Sequence, residues 1–179
     1  MDAKEADRLI AAAVPAGPGT WADFGAGDGT FTRALAARLG SGARIYAVDR
    51  DDRALGGLQV SLVRLEADVT IVQADLQQAF ELPGSEPATL DGMLLANTLH
   101  FLPDPVGALT RLSSWLRPGG SVVLIEYSDR TPSRWVPYPV DVAYLPALFE
   151  AAALTPPHVV AQADSAFGGE MYVAVGRKL

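Results

Sequence analysis

The chain has 179 residues, which suits one domain able to bury about 70% of its unfolded surface without a covalent or metal staple. Apolar residues make up 49% and charged residues 20%, and 14 basic against 21 acidic side chains leave a net charge of −7. With Lys4 and Lys178 as the only lysines and no cysteine anywhere, the composition excludes a continuous cationic track for duplex nucleic acid, disulfides, thiolate-bound metals and thiol nucleophiles.

Asp2 to Ala13 has helical spacing, with Leu9, Ile10 and Ala13 on one side, and breaks at Val14-Pro15-Ala16-Gly17-Pro18-Gly19. Residues 1–14 therefore read as an N-terminal helix rather than a signal peptide, because no long apolar run follows the charged start. No stretch reaches the roughly 20 apolar residues of a spanning helix, so a soluble, cytoplasmic protein with no membrane partner is expected. Trp21 to Phe24 is a short apolar run opening into glycines, and Phe31 to Leu39 is a helix stopped by Gly40-Ser41-Gly42. Arg44 to Asp49 reads as a buried strand, Asp51 to Glu66 as a helix weakened by Gly56-Gly57, and Val69 to Gln73 as the next strand. Leu90 to Ala96 is another buried strand. Asp104-Pro105 caps a helix expected to run to about Leu116 and to close at Arg117-Pro118-Gly119-Gly120. Ser121 to Tyr127 is the fifth strand, a Pro-rich segment leads to a helix near Asp141 to Ala153, and His158 to Ala163 and Met171 to Val175 form a hairpin around Phe167-Gly168-Gly169.

Alternating strands and helices require right-handed crossovers and a mostly parallel sheet covered on both faces, into which the closing hairpin forces one antiparallel strand. The expectation is a single doubly wound α/β domain over 1–179. Ligands of such sheets bind beyond the carboxyl ends of the strands. There the chain places Asp23-Phe24-Gly25-Ala26-Gly27-Asp28-Gly29 after the first strand, Asp49 after the second, Asp75 after the third and Asn97 after the fourth. Glycines admit a ligand to the main chain, and an acid in the place of Asp49 suits two ribose hydroxyls. A dinucleotide fingerprint needs its third glycine at position 30, which is Thr30, so a dinucleotide-dependent oxidoreductase is the disfavoured alternative.

From Trp21 to Val175 the chain resembles the class I S-adenosylmethionine-dependent methyltransferases. The resemblance rests on Asp23 to Gly29, Ala47-Val48-Asp49, Gln73-Ala74-Asp75-Leu76, Leu90 to Asn97 and Leu116-Arg117-Pro118-Gly119-Gly120. It implies a seven-stranded sheet whose last strand is antiparallel. It also implies that Asp23, Phe24, Gly25, Ala26 and Gly27 hold the methionine end of the cofactor and that Asp49 holds the ribose hydroxyls. Arg50 then flanks the adenine, Ala74, Asp75 and Leu76 read its edge, and Ala96 and Asn97 meet the amino and sulfonium end. No metal is implied.

Several residues carry two readings. Asp23 and Asp75 are ligands or loop-capping acids, and the N-terminal helix covers the cofactor or caps the sheet. Asp28 reads as a turn residue and Asp91 as structural, while Glu126 and Asp129 read as solvated acids. His100, three residues after Asn97, is the candidate general base, with Tyr127 competing; its other reading is a packed imidazole bound to a main-chain carbonyl. Residues 128–139 form a candidate acceptor-recognition loop in which Trp135 and Tyr138 roof a pocket or pack the loop down. The absence of cysteine excludes cytosine C5 chemistry, and Asn97-Thr98-Leu99-His100 lacks the prolines of the amino-methyltransferase signature. A small-molecule acceptor is preferred to a protein side chain, and a cofactor-binding module without catalysis is the other alternative.

Overall fold

A computed structural model describes residues 2–165 and 168–179. Phe167 of the expected hairpin lies outside the described residues. Seven strands form one sheet: β1 (Thr20–Phe24), β2 (Arg44–Asp49), β3 (Asp68–Gln73), β4 (Leu90–Ala96), β5 (Leu116–Tyr127), β6 (His158–Asp164) and β7 (Glu170–Arg177). Their order is β3-β2-β1-β4-β5-β7-β6, with β7 antiparallel to both neighbours and every other pairing parallel. The antiparallel β7 wedged beside β5 separates this sheet from the all-parallel dinucleotide-binding order.

Helices α1 (Ala3–Ile10), α2 (Thr30–Leu39) and α3 (Asp52–Ser61) cover one face, and α4 (Pro105–Ser113) and α5 (Leu145–Ala151) cover the other. The local chemistry explains their starts. Asp2 and Glu5 form a reciprocal capping box on α1, Asp51 caps α3, and Asp104 caps α4 ahead of Pro105. One apolar layer joins Leu109, Leu112, Leu145 and Phe149 to Phe24, Leu95 and Leu124. The opposite layer joins Ile10, Leu35 and Leu39 to Trp21, Ile45 and Ile125.

Three expected boundaries move. Helix α3 ends at Ser61 and passes into a 3-10 turn over Leu62–Arg64. The fifth helix is preceded by a 3-10 turn at Val142–Tyr144. Helix α4 ends at Ser113, and Arg117-Pro118-Gly119-Gly120 belongs to β5 instead of closing the helix. The reason is a register shift: Leu90 pairs with Leu116 and Gly92 with Ser121, so the extra residues of β5 bulge. Gly119, at φ +74°, donates from its N–H to the Lys178 carbonyl within that bulge. The β3-to-β4 connection, residues 74–89, contains no helix. Among the described residues no helix is long and apolar enough to cross a membrane.

Candidate active site

Two adjoining cavities open at the carboxyl ends of the central strands. The first, about 340 Å³, is lined by Gly25, Gly27, Asp49, Arg50, Asp75 and Asn97, together with Asp51, Ala74, Leu76, Gln77, Thr98, Phe101 and Leu102. Its floor is the turn after β1, where Gly25 and Ala26 donate their N–H groups to the Val48 carbonyl at 2.8 and 3.0 Å. Gly27, which lines the cavity, has φ +54°, and a Cβ there would meet open space, with nothing within 4 Å. Asp49 accepts from the Gly27 N–H at 2.8 Å through Oδ2 and from the Asp51 N–H at 2.9 Å through Oδ1. Each carboxylate oxygen keeps a further lone pair for a ligand hydroxyl. Asp75 accepts from the Gln77 N–H at 2.9 Å through Oδ1. Asn97 is held at φ +51° by its N–H bond to the Ile125 carbonyl, 2.8 Å. Its Oδ1 is buried with no partner among the described residues, an acceptor waiting for a donor.

Four expected residues do not reach this lining. Phe24, Ala26 and Ala96 are buried behind it, and so is Asp23, which is 0% exposed. Asp23 Oδ2 accepts from the Thr32 hydroxyl at 2.6 Å, so the acid ties the glycine loop to α2 from beneath. Burial pushes its carboxyl up to about 7; the Thr32 bond opposes that shift and the negative Asp49 adds to it. Asp28 accepts from the Thr30 N–H and hydroxyl, a turn role. Asp91 accepts from the Thr20 N–H and from Arg117, clamping the opposite end of the sheet. Helix α1 packs on α2 and contributes nothing to the first cavity.

The second cavity, about 660 Å³, is lined by Asn97, His100, Phe101, Tyr127, Arg130, Thr131, Ser133, Trp135 and Val136. Asn97 and Phe101 line both cavities. Trp135 is 68% exposed at its rim, whereas Tyr138 stands outside the lining and anchors the loop through its N–H to the His100 carbonyl, 2.9 Å. Tyr127 lies with its ring centroid 5.7 Å from that of His100, under the Arg130 guanidinium at 5.0 Å. Burial raises its phenol, the Glu126 charge adds to the rise, and Arg130 opposes it.

The reading of Glu126 as a solvated acid is overturned. It is the penultimate residue of β5, 1% exposed, and its Oε2 lies 2.6 Å from His100 Nδ1. Its Oε1 also accepts from the His100 N–H at 3.1 Å. The imidazole is therefore bound to a carboxylate and not to a main-chain carbonyl. Asp129, in contrast, is exposed, with its N–H near Asp141 Oδ2 at 3.3 Å. The signal in the sequence is an acid closing the apolar run Val122-Val123-Leu124-Ile125, at a strand end where a neighbouring strand also delivers a histidine.

A family profile described as a methyltransferase domain matches residues 22–124, more than half of the chain. The chain belongs to the class I S-adenosylmethionine-dependent methyltransferases, and S-adenosylmethionine is the methyl donor typical of that family. It is 30% identical over 128 residues to the ubiquinone biosynthesis O-methyltransferase of Xanthomonas campestris, spanning 70% of this chain and 50% of the relative. It is 33% identical over 127 residues to an uncharacterized methyltransferase of Mycobacterium tuberculosis, spanning 71% of this chain and 59% of that one. The chain thus spans about half the length of the curated relatives it matches. In fold it resembles the Burkholderia thailandensis 1,6-didemethyltoxoflavin-N1-methyltransferase, with a TM-score of 0.76, 22% identity, and coverage of 98% of this chain and 77% of that one.

Proposed function

We propose that the chain transfers a methyl group from S-adenosylmethionine, held in the first cavity, to a small molecule held in the second. The observation that carries this reading is the junction: the glycine loop, Asp49 and Asp75 line one cavity, His100 lines the other, and Asn97 and Phe101 form their common wall. The residues fit the cofactor. Asp49 has acceptor capacity for a ribose, Asp75 for an adenine amino group, and the orphaned Asn97 Oδ1 for the cationic methionine end. Bound there, the group supplies an activated methyl on a positively charged sulfur. The chain's residues orient the two reactants and exclude water, the source of most of the acceleration in such a displacement. His100 stands on the acceptor side as the base. A small-molecule acceptor agrees with the relatives whose names state a small-molecule product or substrate.

Thermal melting with S-adenosylhomocysteine and, separately, with NADH tests the reading. Saturation at about 100 times the dissociation constant adds about 2.7 kcal/mol, so S-adenosylhomocysteine should raise the midpoint by several degrees and NADH should not. In Asp49→Ala, calorimetry should show affinity falling roughly ten- to hundredfold, from loss of charge-assisted hydrogen bonds worth about 1.5–3 kcal/mol. Stabilisation by NADH alone, or an unchanged affinity in the folded variant, would overturn it.

A further inference from the structure

We infer that Glu126 is a positioning residue that fixes His100 as a base with Nε2 bare, and that the acceptor of the second cavity is therefore an acidic hydroxyl, a phenol or enol on a flat ring. This rests on the assignment of the second cavity to the methyl acceptor.

The geometry starts from strand register. Strands β4 and β5 run parallel with Ala96 opposite Ile125, so the segment leaving β4 passes beside the end of β5. That brings His100 and Glu126 together although 26 positions separate them in the chain. Both side chains are buried, at 2% and 1% exposure. A carboxylate has no proton to give, so at 2.6 Å it accepts from Nδ1–H, and its second oxygen accepts the His100 main-chain N–H. With Nδ1 carrying the proton, the neutral ring presents an unprotonated Nε2. His100 lines the second cavity, and no described residue bonds Nε2. A buried carboxylate also stabilises the imidazolium that forms when Nε2 takes a proton, the arrangement that orients histidine bases in hydrolases.

The ionisable groups around the pair are few. Tyr127 adjoins His100 on the cavity side, with Arg130 over its ring. On the buried side Tyr172 donates to the Val140 carbonyl at 2.7 Å, and its phenol is pushed up by burial and by the charges of Glu126 and Asp141. Glu126 is thus the one acid bonded to the imidazole among the described residues.

What such a base is for follows from acidity. An amine attacks through its own lone pair and can lose its proton afterwards. A phenol, ordinarily near 10, gives its proton to an imidazole, ordinarily near 6.5, far more readily than an alkanol does, so such a base serves a phenol or enol best. In the step, the acceptor O–H proton passes to His100 Nε2 while the O–CH₃ bond forms. The S–CH₃ bond breaks with its electron pair left on sulfur, now a neutral thioether, and the imidazolium returns its proton to water after product leaves. The walls suit a flat ring: Phe101, Tyr127 and Trp135 line a volume of about 660 Å³.

The test uses the full chain, three variants and matched probes. With only two histidines, His100 and His158, the ¹⁵N imidazole spectrum can be assigned through His158→Gln. It should show His100 protonated at Nδ1 and bare at Nε2 at neutral pH; the opposite tautomer overturns the inference. Methyl transfer at pH 8 is then measured to 2-naphthol, 4-nitrophenol, 2-naphthylamine and cyclohexanol. Transfer to 2-naphthol in preference to the amine and the alkanol is expected. His100→Ala and Glu126→Gln should lower kcat for 2-naphthol by about 10²-fold or more with the KM for S-adenosylmethionine unchanged. They should scarcely slow 4-nitrophenol, which ionises unaided, and a purely structural role would slow both phenols alike. No transfer to either phenol, preference for the amine or alkanol, or equal losses on both phenols overturns the inference. S-adenosylhomocysteine melting of each variant separates the two readings: stabilisation without these kinetic effects removes the dyad alone, and its absence from the wild type removes the cofactor assignment.

Discussion

The two cavities share a wall yet are built from different materials. The first combines the glycine turn after β1 with short acids at the ends of β2 and β3 and with Leu76 and Leu102, Asp49 bonding the glycine loop itself. The second is made of large side chains from the 97–101 turn, the end of β5 and the 130–136 loop. A cavity shaped by backbone is specific to one ligand at the level of the fold, whereas one shaped by side chains can change its ligand without disturbing the sheet. On the proposed assignment, the methyl donor would be met by the glycine turn and strand-end acids, and the acceptor by side chains the sheet does not need.

The largest expected effect breaks the first cavity at its floor. Gly27→Val projects into open space at the cavity lining from a backbone at φ +54°, so it should weaken S-adenosylhomocysteine binding by more than about a hundredfold. The strain of a branched residue at that φ should cost only on the order of 1–2 kcal/mol of stability. Gly25→Val provides the contrast, because its Cβ would lie 2.1 Å from Thr98 Oγ1. It should lose the fold along with the binding, and calorimetry with a denaturation curve for each variant checks the pair.

A smaller effect sharpens the comparison from below the floor. Asp23 remains protonated in the folded chain up to about pH 7 but ionises near 3.8 when unfolded. The folded state therefore holds more protons across that window, and the Asp23 contribution to stability falls as pH rises from about 4 to 7. Asp23→Asn keeps the shape and removes the titration. Urea unfolding should show the variant gaining on the wild type between about pH 4 and 7, by on the order of a few kcal/mol. A difference that stays flat with pH would mean that the carboxyl is ionised in place.

The smallest effect lies at the rim of the second cavity. Trp135 is 68% exposed, so Trp135→Ala removes a partial contact worth roughly 1 kcal/mol. The KM for the acceptor should rise about five- to tenfold, while affinity for S-adenosylhomocysteine holds within twofold. Steady-state kinetics against each substrate separates the two.

What could be read from the chain follows the same division. The place of Gly25, Gly27, Asp49, Asp75 and Asn97 on the first cavity is legible because each sits at or just after a strand end, where short-range spacing alone predicts the location. Asp23 shared that spacing but points beneath the loop to Thr32, a direction that spacing does not encode. Glu126 reads as solvated because its partner lies in the 3-10 turn after another strand, and only the β4–β5 register makes them neighbours. The end of α4 was misplaced because Pro118 and Gly119-Gly120 are equally natural stops for a helix and residues of a bulge. Pairing across the sheet, with Leu90 and Lys178, decides between those uses.

The wall formed by Asn97 and Phe101 has a thermodynamic consequence. Whatever fills the first cavity becomes part of the surface that the second ligand meets, so the two occupancies are linked. By reciprocity, the factor by which the methyl donor changes acceptor affinity equals the factor by which the acceptor changes donor affinity. On the proposed assignment, transfer would leave a neutral sulfur in the first cavity, and the same two residues would then border a different pair of molecules. The same reciprocity then ties the affinities of the two products to one another.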